Sequence, residues 1–269
     1  QALTLASGHQ PDWDAAGGEA RAECLETMAD LLEEDCEQLM GLISLEGGRT
    51  LDDTLSEVRE AVDFCRYYAL QARKNFGPQS TMNLEGRGVF LCISPWNFPL
   101  AIFTGQVSAA LAAGNTVLTK PADQTPALAA LAVRMMHRAG IPRAALQLVP
   151  GRGSVVGARL TSDPRVDGVA LTGSMDTAHL INRSLAARDA RLAAMIAETG
   201  GQNTMLVDSS ALPEQVVQDV IRSAFHSAGQ CCSALRVLYL QDDVADRIIK
   251  LLAGAMQELV IGDPGYLST

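Results

Sequence analysis

Lysine is nearly missing from this chain: of 21 basic residues only Lys74, Lys120 and Lys250 are lysines. Basic residues are outnumbered by 31 acidic ones, and the net charge of −10 excludes nucleic acid or an anionic membrane surface as the main partner. No stretch approaches the roughly 18 consecutive apolar residues that a membrane span needs. The six cysteines (Cys24, Cys36, Cys65, Cys92, Cys231, Cys232) contain no C-x-x-C and no paired spacing. That pattern argues against a disulfide framework and predicts reduced thiols in a cytoplasmic protein. Repeats and low-complexity tracts are lacking too, and no secretory leader is expected. The chain opens at Gln1 and closes in "IGDPGYLST" without a final element, so both ends are expected to continue into a longer protein.

What is present is ordinary globular material. With 48% apolar and 19% charged residues, 269 residues can bury one large domain, or one domain plus part of another. Apolar residues recur at three- and four-residue steps from Glu19 to about Ser44 and from Leu51 to Phe76. The spacing predicts two amphipathic helices, stopped at Gly47-Gly48 and Gly77-Pro78, with their acids and arginines on a solvated face. After Gly88 the rhythm changes. "VFLCIS", "TVLTK", "LQLVP" and "VDGVALTG" read as strands, and "LAIFTGQVSAALAA", "PALAALAVRMMHRA", "SVVGARLTS" and "TAHLINRSLAA" as the helices between them. Such alternation argues for parallel βαβ units. The pattern restarts at Thr204 with "TMLVDS", a helix through Ala228, "LRVLYLQ" and a helix from Val244 to Leu259.

An open parallel sheet binds ligands beyond the carboxyl ends of its strands. Four segments fall there: "SPWNFP" (Ser94 to Pro99), "KPADQTP" (Lys120 to Pro126), "GRGSVVG" (Gly151 to Gly157) and "LTGS" (Leu171 to Ser174). Each also has a plain reading. The glycines serve a turn with close helix packing, Lys120 is a surface lysine, and Asp123 caps the helix that includes Pro126. Taken together they fit a dinucleotide: Gly173 and Ser174 open a helix whose free N–H groups face a phosphate, and Lys120 and Asp123 grip the hydroxyls of a ribose. Further on, "AETGGQN" sets Glu198 at a strand end, either bonded to its own loop or acting as a general base. The doublet Cys231-Cys232 ends 34 residues later (232 − 198). No Cys/His cluster has metal-ligand spacing, so no metal is expected.

"SPWNFP", "KPADQTP", "LTGS", "ETGGQN" and "GQCC" stand in the order and approximate spacing of the aldehyde dehydrogenase superfamily, which the chain resembles over essentially its whole length. "EVREAVDFCRYYA", "DSSALPEQVV" and "SAGQCCSALRVLYLQ" are similar to the pyrroline-5-carboxylate dehydrogenase module of bifunctional proline utilisation A proteins. The resemblance implies an α/β fold of aldehyde dehydrogenase type. N-terminal helices and a Rossmann-type, NAD-binding parallel-sheet domain would occupy 1–203, and the start of a second α/β, catalytic domain 204–269.

The family pattern G-Q-x-C implies that Cys232 is the nucleophile and Cys231 a bystander at a variable position, one that leaves the site more open to oxidation. A thiolate suits the task because it forms a hydrolysable thioester. By the same resemblance Asn97 and the backbone N–H of Cys232 form the oxyanion hole, a donor worth roughly 3 kcal/mol of barrier. Glu198 is the general base. The cofactor would contact Ser94, Pro95 and Trp96; Lys120, Ala122 and Asp123 at the adenosine ribose; Gly153 and Gly157; Thr172, Gly173 and Ser174 at the pyrophosphate; and Thr199 and Gly200. Asp123 is one methylene shorter than the glutamate common there, and an acid in that place favours NAD over NADP by repelling a 2′-phosphate.

The implied parent oxidises glutamate γ-semialdehyde, a small-molecule aldehyde, to glutamate in proline catabolism. It would be a homo-oligomer, with FAD only in a separate proline dehydrogenase half where the parent carries one. The piece in hand lacks most of the catalytic domain and is expected to be inactive alone. Alternatives are an aldehyde dehydrogenase with another aldehyde, a non-catalytic dinucleotide-binding module, and a cysteine hydrolase. The last needs a histidine, and His137, His179 and His226 all lie in predicted helices, with His226 nearest the doublet.

Overall fold

A computed structural model describes residues 1–269, which divide into two compact units. The larger comprises Gln1–Gly48 and Thr54–Glu198, the smaller Arg49–Asp53 and Thr199–Thr269.

In the larger unit four helices precede the first strand: α1 (Ala2–Ala15), α2 (Gly17–Glu34), α3 (Cys36–Gly47) and α4 (Leu51–Phe76), the last contributing from Thr54 onward. Residues spaced by three and four form their inner faces. Leu25, Met28 and Leu32 of α2, Leu39 and Ile43 of α3, and Val58, Val62 and Cys65 of α4 are all buried in one cluster with Phe103 and Met136. Each such side chain contributes roughly 2 kcal/mol by leaving water. Three expectations need correction. The helix expected from Glu19 to about Ser44 is two helices, because Asp35 (φ −94°, ψ 19°) leaves helical geometry between α2 and α3. Helix α1 was not expected, since Gly8 and Pro11 lie inside it. Nor is Arg21 on a solvated face: it is 1% exposed, its guanidinium donating to the carbonyls of Trp13, Asp14 and Ala112.

The sheet has the strands β1 (Val89–Ile93), β2 (Thr116–Lys120), β3 (Leu146–Leu148), β4 (Val166–Gly173) and β5 (Ala194–Thr199), in the order β3-β2-β1-β4-β5. β1 runs parallel to both β2 and β4, and β2 to β3. Helices α5 (Ala101–Ala112), α6 (Pro126–Arg138), the one-turn α7 (Ala158–Thr161) and α8 (Met175–Ala186) connect the strands, with a π-type turn over Gly153–Gly157 ahead of α7. The chain steps outward from β1 to β3, then returns to the other side of β1 as β4. That reversal creates a switch point between β1 and β4, the place where open α/β sheets take ligands.

The smaller unit pairs β6 (Asn203–Val207) with β7 (Leu235–Leu240) in parallel, under α9 (Pro213–Phe225) and α10 (Asp242–Gln257). Val207, Val216, Val220, Leu235 and Ile248 form its core. The helix expected to run through Ala228 stops at Phe225 and passes into a 3-10 turn over His226–Gly229.

Candidate active site

The strand register sets three of the sequence motifs level. Ile93 is opposite Lys120 on one side and Leu171 on the other, so the segments beginning at Ser94, Pro121 and Thr172 stand level at a common edge of the sheet. Ser94 stays in the ladder, its N–H donating to the Lys120 carbonyl at 3.2 Å. Gln106 of α5 spans the switch point: its Nε2 donates to the Ile93 carbonyl at 3.3 Å and to Thr172 Oγ1 at 3.0 Å. Nothing in the motifs had pointed to Gln106. The available signal was a long amide in a helix otherwise built of small and apolar residues.

Lys120 is buried, not a surface lysine. Its Nζ donates to the Pro121 carbonyl at 2.7 Å and to Asp123 Oδ1 at 3.0 Å. Asp123 is therefore that lysine's partner, and the helix-capping role open to it falls away, since the N-cap of α6 is Thr125. Ala122 beside it is half-buried. The Lys120 stem runs past the glycine segment, where a β-carbon on Gly153 or Gly157 would stand 3.8 Å or 4.0 Å from it. Gly153 is exposed and Gly157 buried. Across the switch point, Gly173 closes β4 and Ser174 caps α8, its Oγ accepting from Thr177 N at 3.2 Å. An α8 N-terminus capped in this way presents free N–H groups suited to a phosphate.

The segment between β1 and α5 is held from below. Glu57 of α4, 1% exposed, accepts from the N–H groups of Leu100 (2.7 Å) and Ala101 (3.2 Å) at the start of α5. A carboxylate there satisfies two orphan donors and complements the helix dipole. Pro95 and Asn97 are half-buried and Trp96 is 37% exposed in the loop so anchored. Glu198 is exposed near the end of β5.

In the smaller unit Thr199 is half-buried and Gly200 exposed, and Asn203 follows at the start of β6. All six cysteines are free thiols, and Cys232 is the exposed one. Burial pushes the thiols of Cys65 and Cys92 up to about 12, which leaves them inert. The Cys232 thiol is also held above its ordinary value, first by partial desolvation and then by adjacent Cys231, so forming a thiolate there requires a base. The Sγ of Cys231 lies 3.1 Å from Ser233 Oγ. Two side chains outside the expected set pin this loop. Asn203 Nδ2 donates to the carbonyls of Cys232 (2.7 Å) and Ala234 (3.0 Å), and Arg236 Nη2 to that of Gly229 (2.8 Å). Ahead of the cysteines, Ser227 (φ 54°), Ala228 (φ 53°) and Gly229 (φ 70°) are all left-handed, a conformation costing roughly 1–2 kcal/mol for each residue with a β-carbon. No group of three or more His, Cys, Asp or Glu side chains is placed to hold a metal ion, and no helix is long and apolar enough to cross a membrane.

The model for the aldehyde dehydrogenase family matches residues 1–268. The chain belongs to the aldehyde dehydrogenase family. Among its relatives is the bifunctional protein PutA of Klebsiella aerogenes, 54% identical over 272 residues, which cover the whole of this chain and 20% of that protein. The chain thus spans about a fifth of the length of that relative. A crystal structure of bifunctional proline utilization A superposes with a TM-score of 0.95 at 54% identity, over 98% of this chain and 28% of the other. The family fold is equally clear at lower identity. A 1-pyrroline-5-carboxylate dehydrogenase from Thermus with bound NAD gives 0.94 at 29% identity, over 98% of this chain and 54% of that one. An NADP-dependent enzyme of E. coli gives 0.91 at 32% identity, over 100% and 57%. Membership of the aldehyde dehydrogenase family therefore does not by itself choose between the two nucleotides.

Proposed function

We propose that this chain is the nucleotide-binding part and the nucleophile-bearing part of an NAD-dependent aldehyde dehydrogenase that oxidises glutamate γ-semialdehyde to glutamate in proline catabolism. The observation that carries this reading is Cys232, the exposed thiol of the six, on a loop whose backbone Asn203 holds at the nucleophile itself. The kinship with PutA and with 1-pyrroline-5-carboxylate dehydrogenases supports the choice of substrate.

A dinucleotide fits the sheet edge. A buried lysine is paired with an exposed acid there, two glycines pass close to the lysine stem, and a capped helix N-terminus stands across the switch point. Lys120 and Asp123 would hold the adenosine ribose and Ser174 the pyrophosphate. Thr172 and Gly173 would line that side, Ser94, Pro95, Trp96 and Ala122 the other, with Thr199 and Gly200 toward the nicotinamide. When bound, NAD supplies the two-electron acceptor for the oxidation. The chain's own tasks are acid-base and positional. Glu198 takes the proton of the Cys232 thiol, and the sulfur adds to the aldehyde carbon. Asn97 and the Cys232 N–H stabilise the oxygen that becomes negative, and Glu198, once it has passed the thiol proton on to solvent, takes a proton from the water that displaces the Cys232 thiolate and releases the acid.

The test is a steady-state assay of the full-length protein carrying this chain, with several aldehydes and both nucleotides. A clear preference for glutamate semialdehyde with NAD is expected. Equal turnover of unrelated aldehydes would remove the substrate assignment.

A further inference from the structure

Asp53 is fully buried, and its carboxylate is met from three sides. Thr50 Oγ1 donates to Oδ2 at 3.0 Å, while Arg49 Nη2 (3.5 Å) and His226 Nε2 (3.0 Å) lie against Oδ1. A carboxylate taken fully out of water needs such partners to stay ionised. His226 is unlike the other two. Its side chain is 52% exposed, and it is the residue at which α9 ends, with φ −55° and ψ 138°. The next three residues are Ser227, Ala228 and Gly229, and Ser227 and Ala228 are the only residues other than glycine with positive φ in the chain. A left-handed run of this kind persists only where its surroundings hold it at both ends. At the far end the hold is Arg236 on the Gly229 carbonyl, and Gly229 admits no side chain, since a β-carbon would stand 2.7 Å from the Ala224 carbonyl. At the near end the hold is His226 against Asp53.

We propose that Asp53 is a positioning residue for the nucleophile: through His226 it fixes the point at which helix α9 gives way to the strained turn, and so the placement of Cys232 six residues on. The inference rests on Cys232 being the nucleophile. The role proposed for the imidazole is that of a tether, with its Nε2 turned to the buried carboxylate.

The experiment uses the full-length protein carrying this chain. His226→Ala and Asp53→Asn are compared by turnover, by NAD affinity, and by the rate at which iodoacetamide alkylates Cys232, read apart from Cys231 by peptide mass spectrometry. His226→Ala is expected to lower kcat by about tenfold or more with KM and NAD affinity nearly unchanged, and to change the Cys232 alkylation rate about threefold or more. His226→Arg, which places a permanent cation opposite Asp53, is expected to recover most of both. In the double variant the two losses should not add, as for residues of one unit. Should Asp53→Asn not fold, the half-exposed His226 still decides the matter. Turnover and alkylation both unchanged in His226→Ala would overturn the proposal, as would a loss that His226→Arg fails to restore, which would mark a proton carrier instead. If the unmodified protein oxidises no aldehyde, the dehydrogenase assignment fails on its own, and the alkylation rates still test the tether.

Discussion

Two thiols side by side cannot be electrostatically independent. The Cys232 thiol is raised by partial desolvation and, beyond that, by Cys231, whose side chain favours the protonated form of its neighbour. Cys231 therefore bears on the titration of its neighbour. Removing it takes away upward influences and leaves the others in place, so Cys231→Ala should move the pH midpoint of Cys232 alkylation downward. A midpoint unchanged or higher would contradict this coupling. Turnover separates the two roles: Cys232→Ser should abolish oxidation in the full-length protein, and Cys231→Ala should largely preserve it. The acid proposed for the ribose end can be treated in the same way. Asp123 neutralises buried Lys120 at 3.0 Å, so Asp123→Ala both removes a like charge from the region of a 2′-phosphate and frees a cation to attract it. The ratio of kcat/KM for NAD to that for NADP should fall by about tenfold, roughly 1.4 kcal/mol. A ratio that does not fall would detach Asp123 from nucleotide choice.

Elements carry the next level of constraint, and Glu57 shows how. Its carboxylate accepts two N–H groups at the start of α5 and so secures the segment that bears Asn97. Glu57→Ala would leave both donors buried and should destabilise the chain by about 2 kcal/mol in urea unfolding, with Glu57→Gln losing less. An unchanged midpoint in the alanine variant would show that α5 is held by packing alone. The strands were legible in the sequence for a simple reason: short apolar runs such as "TVLTK", bounded by glycine or proline, have few other uses, and β2 occupies those five residues. Helix α1 was not legible. Pro11 and Gly8 disfavour it locally, yet Leu3 and Ala6 pack under the sheet, and Trp13 Nε1 donates to the Leu111 carbonyl at 3.1 Å. Tertiary burial overrides propensity there. The left-handed turn was hidden as well, because serine and alanine carry no preference for it. The motif residues could be found as a set, whereas Gln106, Glu57 and Asn203 act by reaching backbone groups that no spacing announces.

The whole chain combines two units that differ in how much of their apolar surface they cover. In the larger, the sheet and its helices enclose two apolar clusters of buried residues. In the smaller, a two-stranded sheet is backed by two helices around a cluster of five buried residues. Much of its apolar material faces water: Leu206 is 80% exposed, Tyr239 56%, Ile249 55%, Ile261 97% and Leu267 88%. Exposed apolar surface of this extent calls for a cover. In relatives about five times as long there is ample further chain to supply it. We therefore expect this piece, studied alone, to bind NAD through its larger unit while self-associating through its smaller one and turning over no aldehyde. Even a reactive thiol contributes little when the groups that orient aldehyde and nicotinamide are not all in place, since lost positioning alone can cost several kcal/mol of barrier. Calorimetric NAD titration, light scattering after size exclusion, and a turnover assay on the same sample test the three parts. A monodisperse monomer with turnover comparable to the full-length protein would show that the smaller unit needs no further partner for catalysis.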